Sequence, residues 1–194
     1  LFPQDGSGVT DPNALFVTSA AIEDQVPDVH VARSLGLKMM TRAELLSQFF
    51  NASPQSVGIA GTSGKSTTTG MICWVLCECG KTPTVVNGAV MKNFVTSDMP
   101  FASAVIGTDG IFVAEVDESD GSIERYTPHV AVLNNIAHDH KSLNELRDLF
   151  GNFIQKSKIA VLNIDNDEVK NLAASRHQDQ ILTYSLADAN ADFY

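Results

Sequence analysis

The chain has 194 residues, with 23 acidic and 13 basic side chains and therefore a net charge of −10. Such an acidic surface argues against nucleic acids and anionic membranes as main partners. No apolar run approaches the ~18–20 residues that a membrane-spanning helix requires. The length allows one or two domains, and a hydrophobic content of 44% is sufficient for a substantial core.

The first 53 residues alternate short apolar runs with helical patterns. Thr41 and Glu44 have the spacing of a capping box, in which two side chains satisfy backbone N–H groups at a helix start. The polar linker 51–55, which contains a proline, indicates a domain boundary after residue 53. The β-α-β-α order is that of half an open parallel sheet. Strands are predicted over 14–18 and 38–40, and helices over 28–35 and 42–50.

Residues 54–194 repeat this alternation over a longer stretch. The pattern predicts an α/β fold with a doubly wound parallel sheet. Residues 91–110 have no clear periodicity, and we expect a loop there. Strands are predicted over 57–60, 84–86, 110–116, 130–133, 159–162 and 181–184, and helices over 65–79, 143–156 and 167–175.

A glycine-rich segment, G-T-S-G-K-S, connects a buried strand with the helix that begins at Lys65. Gly61 and Gly64 allow the backbone to approach an anion closely, near the positive end of the helix dipole. The Lys65 amine would reach the β- and γ-phosphates of a nucleotide, and the Ser66 hydroxyl would bind Mg²⁺. The general pattern G-x-x-x-x-G-K-[ST] fails because its first glycine is replaced by Ile59. The alternative is a glycine turn before a capped helix, with Lys65 solvated at an exposed helix start.

The helix after this loop carries an apolar stripe and all three cysteines of the chain. Cys73 and Cys77 are four residues apart, and no second cluster completes a zinc site, which favours free thiols. The stripe comprises Met71, Ile72, Val75, Leu76 and Cys79.

Two polar clusters follow predicted strands, at the edge where open α/β sheets bind ligands. The first is E-V-D-E-S-D at residues 115–120, in which four unpaired carboxylates would repel one another unless a divalent cation were bound. An acidic surface loop is the alternative. The second cluster, His138, Asp139 and His140, suits metal binding or phosphate polarisation.

The order of the three segments G-T-S-G-K-S-T-T-T, E-V-D-E-S-D-G-S and N-N-I-A-H-D-H resembles the central domain of the Mur ligases. Residues 17–22, 41–44 and 86–88 are also similar to this family. The resemblance implies that residues 1–53 are the C-terminal part of a Rossmann-like UDP-sugar-binding domain. It implies further that residues 54–194 are an incomplete P-loop ATP-binding central domain. We therefore expect a larger protein, with a glycine-rich opening and a C-terminal domain absent from this sequence.

The resemblance implies a bacterial, cytoplasmic ligase that builds peptidoglycan precursors with ATP and Mg²⁺ as cofactors. Such an enzyme joins L-alanine, or another amino acid or peptide, to UDP-N-acetylmuramate through an acyl phosphate. Its partners would be these small molecules, with no nucleic acid and no membrane. Two alternatives remain open: a ligase similar to folylpolyglutamate synthetase, which shares the phosphate loop, and a non-catalytic ATP-binding module.

Site residues are also implied by the resemblance. Lys65, Glu115 and His140 would be catalytic, and Ser66, Glu115 and His140 would hold the metal. Lys156 is close enough in sequence to be considered as the carboxylated lysine that some members use. The nucleotide would contact Gly61, Thr62, Ser63, Gly64, Lys65, Ser66, Thr67 and Asn135.

Overall fold

The computed structural model describes residues 1–19, 22, 24–138, 141–174 and 180–194. The chain divides into two compact units, Leu1–Phe49 and Phe50–Tyr194. The identities of the two domains expected on either side of residue 53 stay predictions. Within the described ranges, every helix is too short or too polar to cross a lipid bilayer.

The first unit contains a pair of parallel strands, in line with its predicted β-α-β-α order. The predicted capping box is confirmed, because the Thr41 hydroxyl accepts a hydrogen bond from the Glu44 N–H at 3.1 Å. In return, the Glu44 carboxylate accepts one from the Thr41 N–H at 2.8 Å. The elements are β1 (Leu15–Thr18), α1 (Pro27–Ser34), β2 (Lys38–Thr41) and α2 (Arg42–Ala52), the last of which continues into the second unit.

The second unit is built on a sheet with the order β5-β4-β6-β3-β7-β8-β9. All its strand pairs are parallel except the edge pair of β4 and β5, so the predicted α/β fold is confirmed. Strand β5 lies in the region expected to be a loop, and its two residues are too few for a periodic pattern. The strands are β3 (Gln55–Ala60), β4 (Thr84–Val86), β5 (Ala104–Val105), β6 (Ile111–Glu115), β7 (Val130–Leu133), β8 (Ile159–Asn163) and β9 (Ile181–Tyr184).

Helices cover both faces of this sheet. The connection from β3 to β4 and those from β7 to β9 run in opposite directions, so right-handed crossovers place their helices on opposite faces. Side chains of β3 alternate accordingly: Ile59 packs with Cys73, whereas a Cβ on Gly58 would lie 2.9 Å from the Phe153 ring. The helices are α3 (Lys65–Glu78), α4 (Leu143–Gln155) and α5 (Asp167–Ala173), with short 3₁₀ helices at Lys92–Phe94 and Ser122–Arg125.

Only part of the apolar stripe on α3 contacts the core. Cys73 is fully buried, but Met71 and Val75 are 63% and 58% exposed. Each is two positions from Cys73, about 200° around the helix at 3.6 residues per turn, so they point away from the sheet. Cys79 is exposed just beyond the helix, and all three cysteines are free thiols.

Candidate functional site

The carboxyl ends of β3 and β7 form the switch point of the sheet, because their connections lead to opposite sides. Open α/β sheets bind ligands in the crevice at such a point. The glycine-rich loop 61–64 leaves β3 here, beside the residues that leave β7. The Thr62 N–H donates to the Asn135 carbonyl at 3.1 Å, which joins the two segments. The topology thus places the predicted phosphate loop where a ligand site is expected.

Two positions of this loop require glycine. Gly61 has a φ of +136°, and a Cβ there would lie 3.1 Å from both the backbone N and O of Asn135. Gly64 has a φ of +80° and is the N-cap of α3. The left-handed backbone and the close approach to β7 both exclude larger side chains. The two glycines therefore bring the start of α3 against the adjacent segment.

The side chain of Asn135 holds the loop in place. Its Oδ1 accepts hydrogen bonds from the Thr62 hydroxyl at 2.8 Å and from the Ser63 N–H at 3.0 Å. Its Nδ2 donates to the Ser63 carbonyl at 3.0 Å. The neighbouring Asn134 is buried and donates to the Thr68 hydroxyl at 3.0 Å, so it fixes the first turn of α3. Asn135 positions the loop through these contacts, and its predicted contact with a nucleotide stays a prediction.

The Lys65 ammonium lies across the loop. It donates to the Gly61 carbonyl at 2.8 Å and to the two carboxylate oxygens of Glu118 at 3.0 and 3.3 Å. The Lys65 and Glu118 side chains are only 13% and 7% exposed. The expectation of an exposed lysine at the helix start is therefore wrong. Glu118 was not among the predicted site residues, although it stands in the acidic segment that follows β6.

Two residues predicted to bind metal meet in the structure. The Ser66 hydroxyl donates to Glu115 Oε2 at 2.7 Å, and the Gly88 N–H donates to the same oxygen at 2.8 Å. A Cβ on Gly88 would lie 2.6 Å from that oxygen, so this approach depends on glycine. Adjacent hydroxyl and carboxylate oxygens are ligands that Mg²⁺ prefers, and the donor set fits this ion.

The four acidic residues of the 115–120 segment have two different roles. Asp117 and Asp120 accept hydrogen bonds from backbone N–H groups two residues further on, at 2.9 and 2.8 Å. Glu115 and Glu118 instead contact the phosphate loop and the start of α3. The expectation of four unpaired carboxylates is wrong, because each accepts a hydrogen bond from the protein.

The remaining predicted metal ligand, His140, lies with Asp139 outside the described residues, and His138 is exposed. Among the residues that the structure describes, no three His, Cys, Asp or Glu side chains are grouped to hold a metal ion. Lys156 follows α4 at the opposite edge of the sheet, where its ammonium donates to the Glu124 carbonyl at 2.6 Å. Its position does not suit the carboxylated lysine of a metal site beside Glu115.

A cavity of about 430 Å³ opens beside Ser66 and Thr67. Asn87 forms part of its wall and donates from Nδ2 to the Ser66 carbonyl at 3.1 Å. The buried Oδ1 of Asn87 has no hydrogen-bond partner among the described residues. Trp74 and Phe94 line the cavity as an edge-to-face pair with ring centroids 5.9 Å apart. The cavity thus combines apolar walls with the polar residues Ser66, Thr67 and Asn87 next to the candidate metal ligands.

This sheet, loop and acidic edge define an α/β domain of the phosphate-loop class. Residues 59–194 match the family model of the Mur ligase middle domain. The chain is 34% identical over 179 residues to UDP-N-acetylmuramate–L-alanine ligase of Magnetococcus marinus, a match that covers 89% of this chain and 36% of the relative. The same enzyme of Thermosynechococcus vestitus is 33% identical over 176 residues, with 90% and 36% covered. The chain belongs to the Mur ligase family.

Solved structures have the same fold. UDP-N-acetylmuramate–alanine ligase from Thermotoga maritima superposes with a TM-score of 0.74 at 23% identity, covering 90% of this chain and 39% of that chain. UDP-N-acetylmuramate:L-alanyl-gamma-D-glutamyl-meso-diaminopimelate ligase from Neisseria meningitides superposes with a TM-score of 0.73 at 24% identity. The match covers 92% of this chain and 62% of that chain. The chain spans about a third of the length of the curated relatives that it matches.

Proposed function

We propose that the protein is an ATP-dependent ligase that joins L-alanine to the carboxylate of UDP-N-acetylmuramate. The observation that carries this proposal is that Lys65 contacts Glu118 and Ser66 contacts Glu115 at one edge of the sheet. The names of the relatives at about 34% identity support the substrates. A ligase from Thermotoga maritima with a similar fold, at a TM-score of 0.62 and 17% identity, was solved in complex with ADP.

The residues of the phosphate loop would hold the phosphates of ATP. Loop 61–64, fixed by Asn135, would present backbone N–H groups, and the Lys65 ammonium would neutralise charge on the transferring phosphoryl group. Ser66 and Glu115, with His140, would hold Mg²⁺. When bound, this ion supplies further neutralisation of the phosphate oxygens. Residues 1–53 would belong to the domain that binds the UDP-sugar.

The proposed reaction has two steps. An oxygen of the substrate carboxylate forms a bond to the γ-phosphorus while the bond from that phosphorus to ADP breaks, which gives an acyl phosphate. The amine nitrogen of the amino acid then attacks the acyl carbon. Inorganic phosphate leaves with the C–O bonding electrons, and the amine loses a proton. The cavity beside Ser66 has room for a substrate group next to the candidate metal ligands.

Release of ADP by the purified full-length protein tests this proposal. We expect release over many turnovers only when UDP-N-acetylmuramate and L-alanine are both present, together with a product heavier by one alanine residue in mass spectra. A folded Lys65→Met variant serves as the control and should release none. ADP release that depends on a folate and glutamate would instead identify a folylpolyglutamate synthetase-like enzyme. ATP binding without turnover in either mixture would indicate a binding module.

A further inference from the structure

The ion pair of Lys65 and Glu118 is the most enclosed that the described residues form. Its side chains are 13% and 7% exposed, against 42% and 21% for the pair of Arg147 and Glu168. Both carboxylate oxygens of Glu118 lie within 3.3 Å of the ammonium. The cation expected to bind phosphate therefore already has an anionic partner inside the protein.

The backbone around Glu118 fixes this partner beside the loop. The Glu118 carbonyl accepts from the Gly121 N–H at 3.3 Å, and the Asp117 carbonyl accepts from the Ile123 N–H at 3.1 Å. On the other side, the Val116 N–H donates to the Ile59 carbonyl of β3 at 2.9 Å. The turn is thus tied to the strand that leads into the phosphate loop, which keeps the carboxylate within reach of Lys65.

Without a bound cation, the charges in this region do not favour the binding of an anion. The contacts described here bring together one ammonium, from Lys65, and two carboxylates, from Glu115 and Glu118, which leaves an excess of one negative charge. A phosphate oxygen that binds Lys65 must share the ammonium with Glu118 or displace it. Like charges in a partly buried site repel strongly unless a cation compensates them.

We propose that Glu118 is a positioning residue that competes with phosphate for Lys65 and thereby makes nucleotide binding depend on a divalent cation. The inference rests on the proposed function, because it concerns the same phosphate loop. With a divalent cation present, the excess negative charge is offset and Lys65 can bind both anions. A purely structural Glu118 would only preorganise Lys65, and its removal would weaken binding or leave it unchanged.

The test is the ADP affinity of the Glu118→Gln variant, measured by calorimetry with EDTA and with Mg²⁺. Glutamine keeps the shape and one acceptor oxygen but removes the charge. We expect the variant to bind metal-free ADP at least about tenfold more tightly than the wild type, a change of about 1.4 kcal/mol. The gain in affinity on adding Mg²⁺ should shrink by a similar factor. Glu124→Gln is the matched control, because Glu124 is an exposed glutamate on the same connection, and it should bind like the wild type.

The outcomes separate this inference from the proposed function. The inference is overturned if Glu118→Gln binds metal-free ADP no more tightly than the wild type does. The proposed function stays intact in that case, provided that the wild type binds ADP with Mg²⁺. A wild type that does not bind ADP with Mg²⁺ contradicts both. If the glutamine variant fails to fold, Glu118→Asp replaces it in the test. Its side chain is shorter by one methylene group, so the carboxylate lies farther from the Lys65 ammonium. Its metal-free affinity should then rise, and an unchanged or lower value overturns the inference.

Discussion

The Glu115 carboxylate accepts a hydrogen bond of 2.7 Å from the hydroxyl of Ser66, which lies 49 residues earlier in the chain. Parallel pairing explains the contact, since Glu115 stands opposite Ile59 in the register of β6 and β3. The Glu115 carboxylate at the end of β6 therefore lies beside the start of α3, the helix that follows β3. The two oxygen atoms brought together in this way are of the kind that Mg²⁺ prefers, and their binding of a metal ion stays a prediction.

Gly88→Ala should displace Glu115 and weaken the binding of nucleotide with Mg²⁺. The added Cβ would lie 2.6 Å from Glu115 Oε2, and the flexible carboxylate can turn away at little cost to folding. We expect a loss of about tenfold in affinity by calorimetry. Gly151→Ala is the control: its Cβ would make an ordinary contact of 3.7 Å with the Leu172 side chain, so it should raise the unfolding free energy by about 0.5–1 kcal/mol and leave the affinity unchanged. Wild-type affinity in Gly88→Ala would contradict this account of the site.

Lys65→Met should lower the free energy of unfolding as well as remove nucleotide binding. The substitution leaves the Glu118 carboxylate, only 7% exposed, without its cation. Breaking one side of such a buried pair costs about 3 kcal/mol. Adding Glu118→Gln should restore a large part of this loss, which a double-mutant cycle in urea measures. Equal stability of wild type and Lys65→Met would show that the pair is not coupled.

Asn135→Ala should loosen the phosphate loop. The variant loses the acceptor for the Thr62 hydroxyl and the Ser63 N–H, so the unfolding free energy should fall by about 1–3 kcal/mol. Nucleotide affinity should fall as well, because the loop N–H groups lose their fixed orientation. Asn152→Ala, an exposed position on α4, is the control and should match the wild type in both measurements. Unchanged affinity in Asn135→Ala would mean that the loop does not need this support.

The pair of Arg147 and Glu168 should make stability depend on pH. Hydrogen bonds from Arg147 hold the pKa of Glu168 below its usual value of 4.5. A carboxyl group with a lowered pKa in the folded state adds stability above its unfolded pKa and loses it as the pH falls through the folded value. Glu168→Gln should therefore be less stable than the wild type at neutral pH, and the difference should disappear in acid. A difference that does not vary with pH would contradict this assignment.

The strand, loop and helix start of the phosphate loop, and the position of Glu115 at the same edge of the sheet, were predictable because their signals are local. A buried strand, two glycines and a helix start fix the loop, and a residue at the end of a parallel strand must lie at the same edge as that loop. The alternation of apolar runs and helical patterns likewise predicts the sheet. Each of these inferences needs only neighbouring residues and one topological rule.

Glu118 and Asn87 were missed because tertiary contacts determine their roles. All four carboxylates of the 115–120 segment look alike in sequence, and the turn closed by Asp117 and Asp120 decides which of them face the loop. Asn87 looks like a turn residue until its amide is seen to bind the carbonyl of Ser66. The pairing of β5 with β4 also escaped prediction, since two residues of strand carry no pattern.

Titration of ATP with Mg²⁺ into wild type, Glu115→Gln and Glu124→Gln is the most direct test of the claim that this edge of the sheet binds the nucleotide. We expect the wild type and Glu124→Gln to bind with the same affinity. Glu115→Gln should bind at least about tenfold more weakly, with an unchanged circular dichroism spectrum. Equal affinities in all three proteins, or no binding by the wild type, would contradict the account.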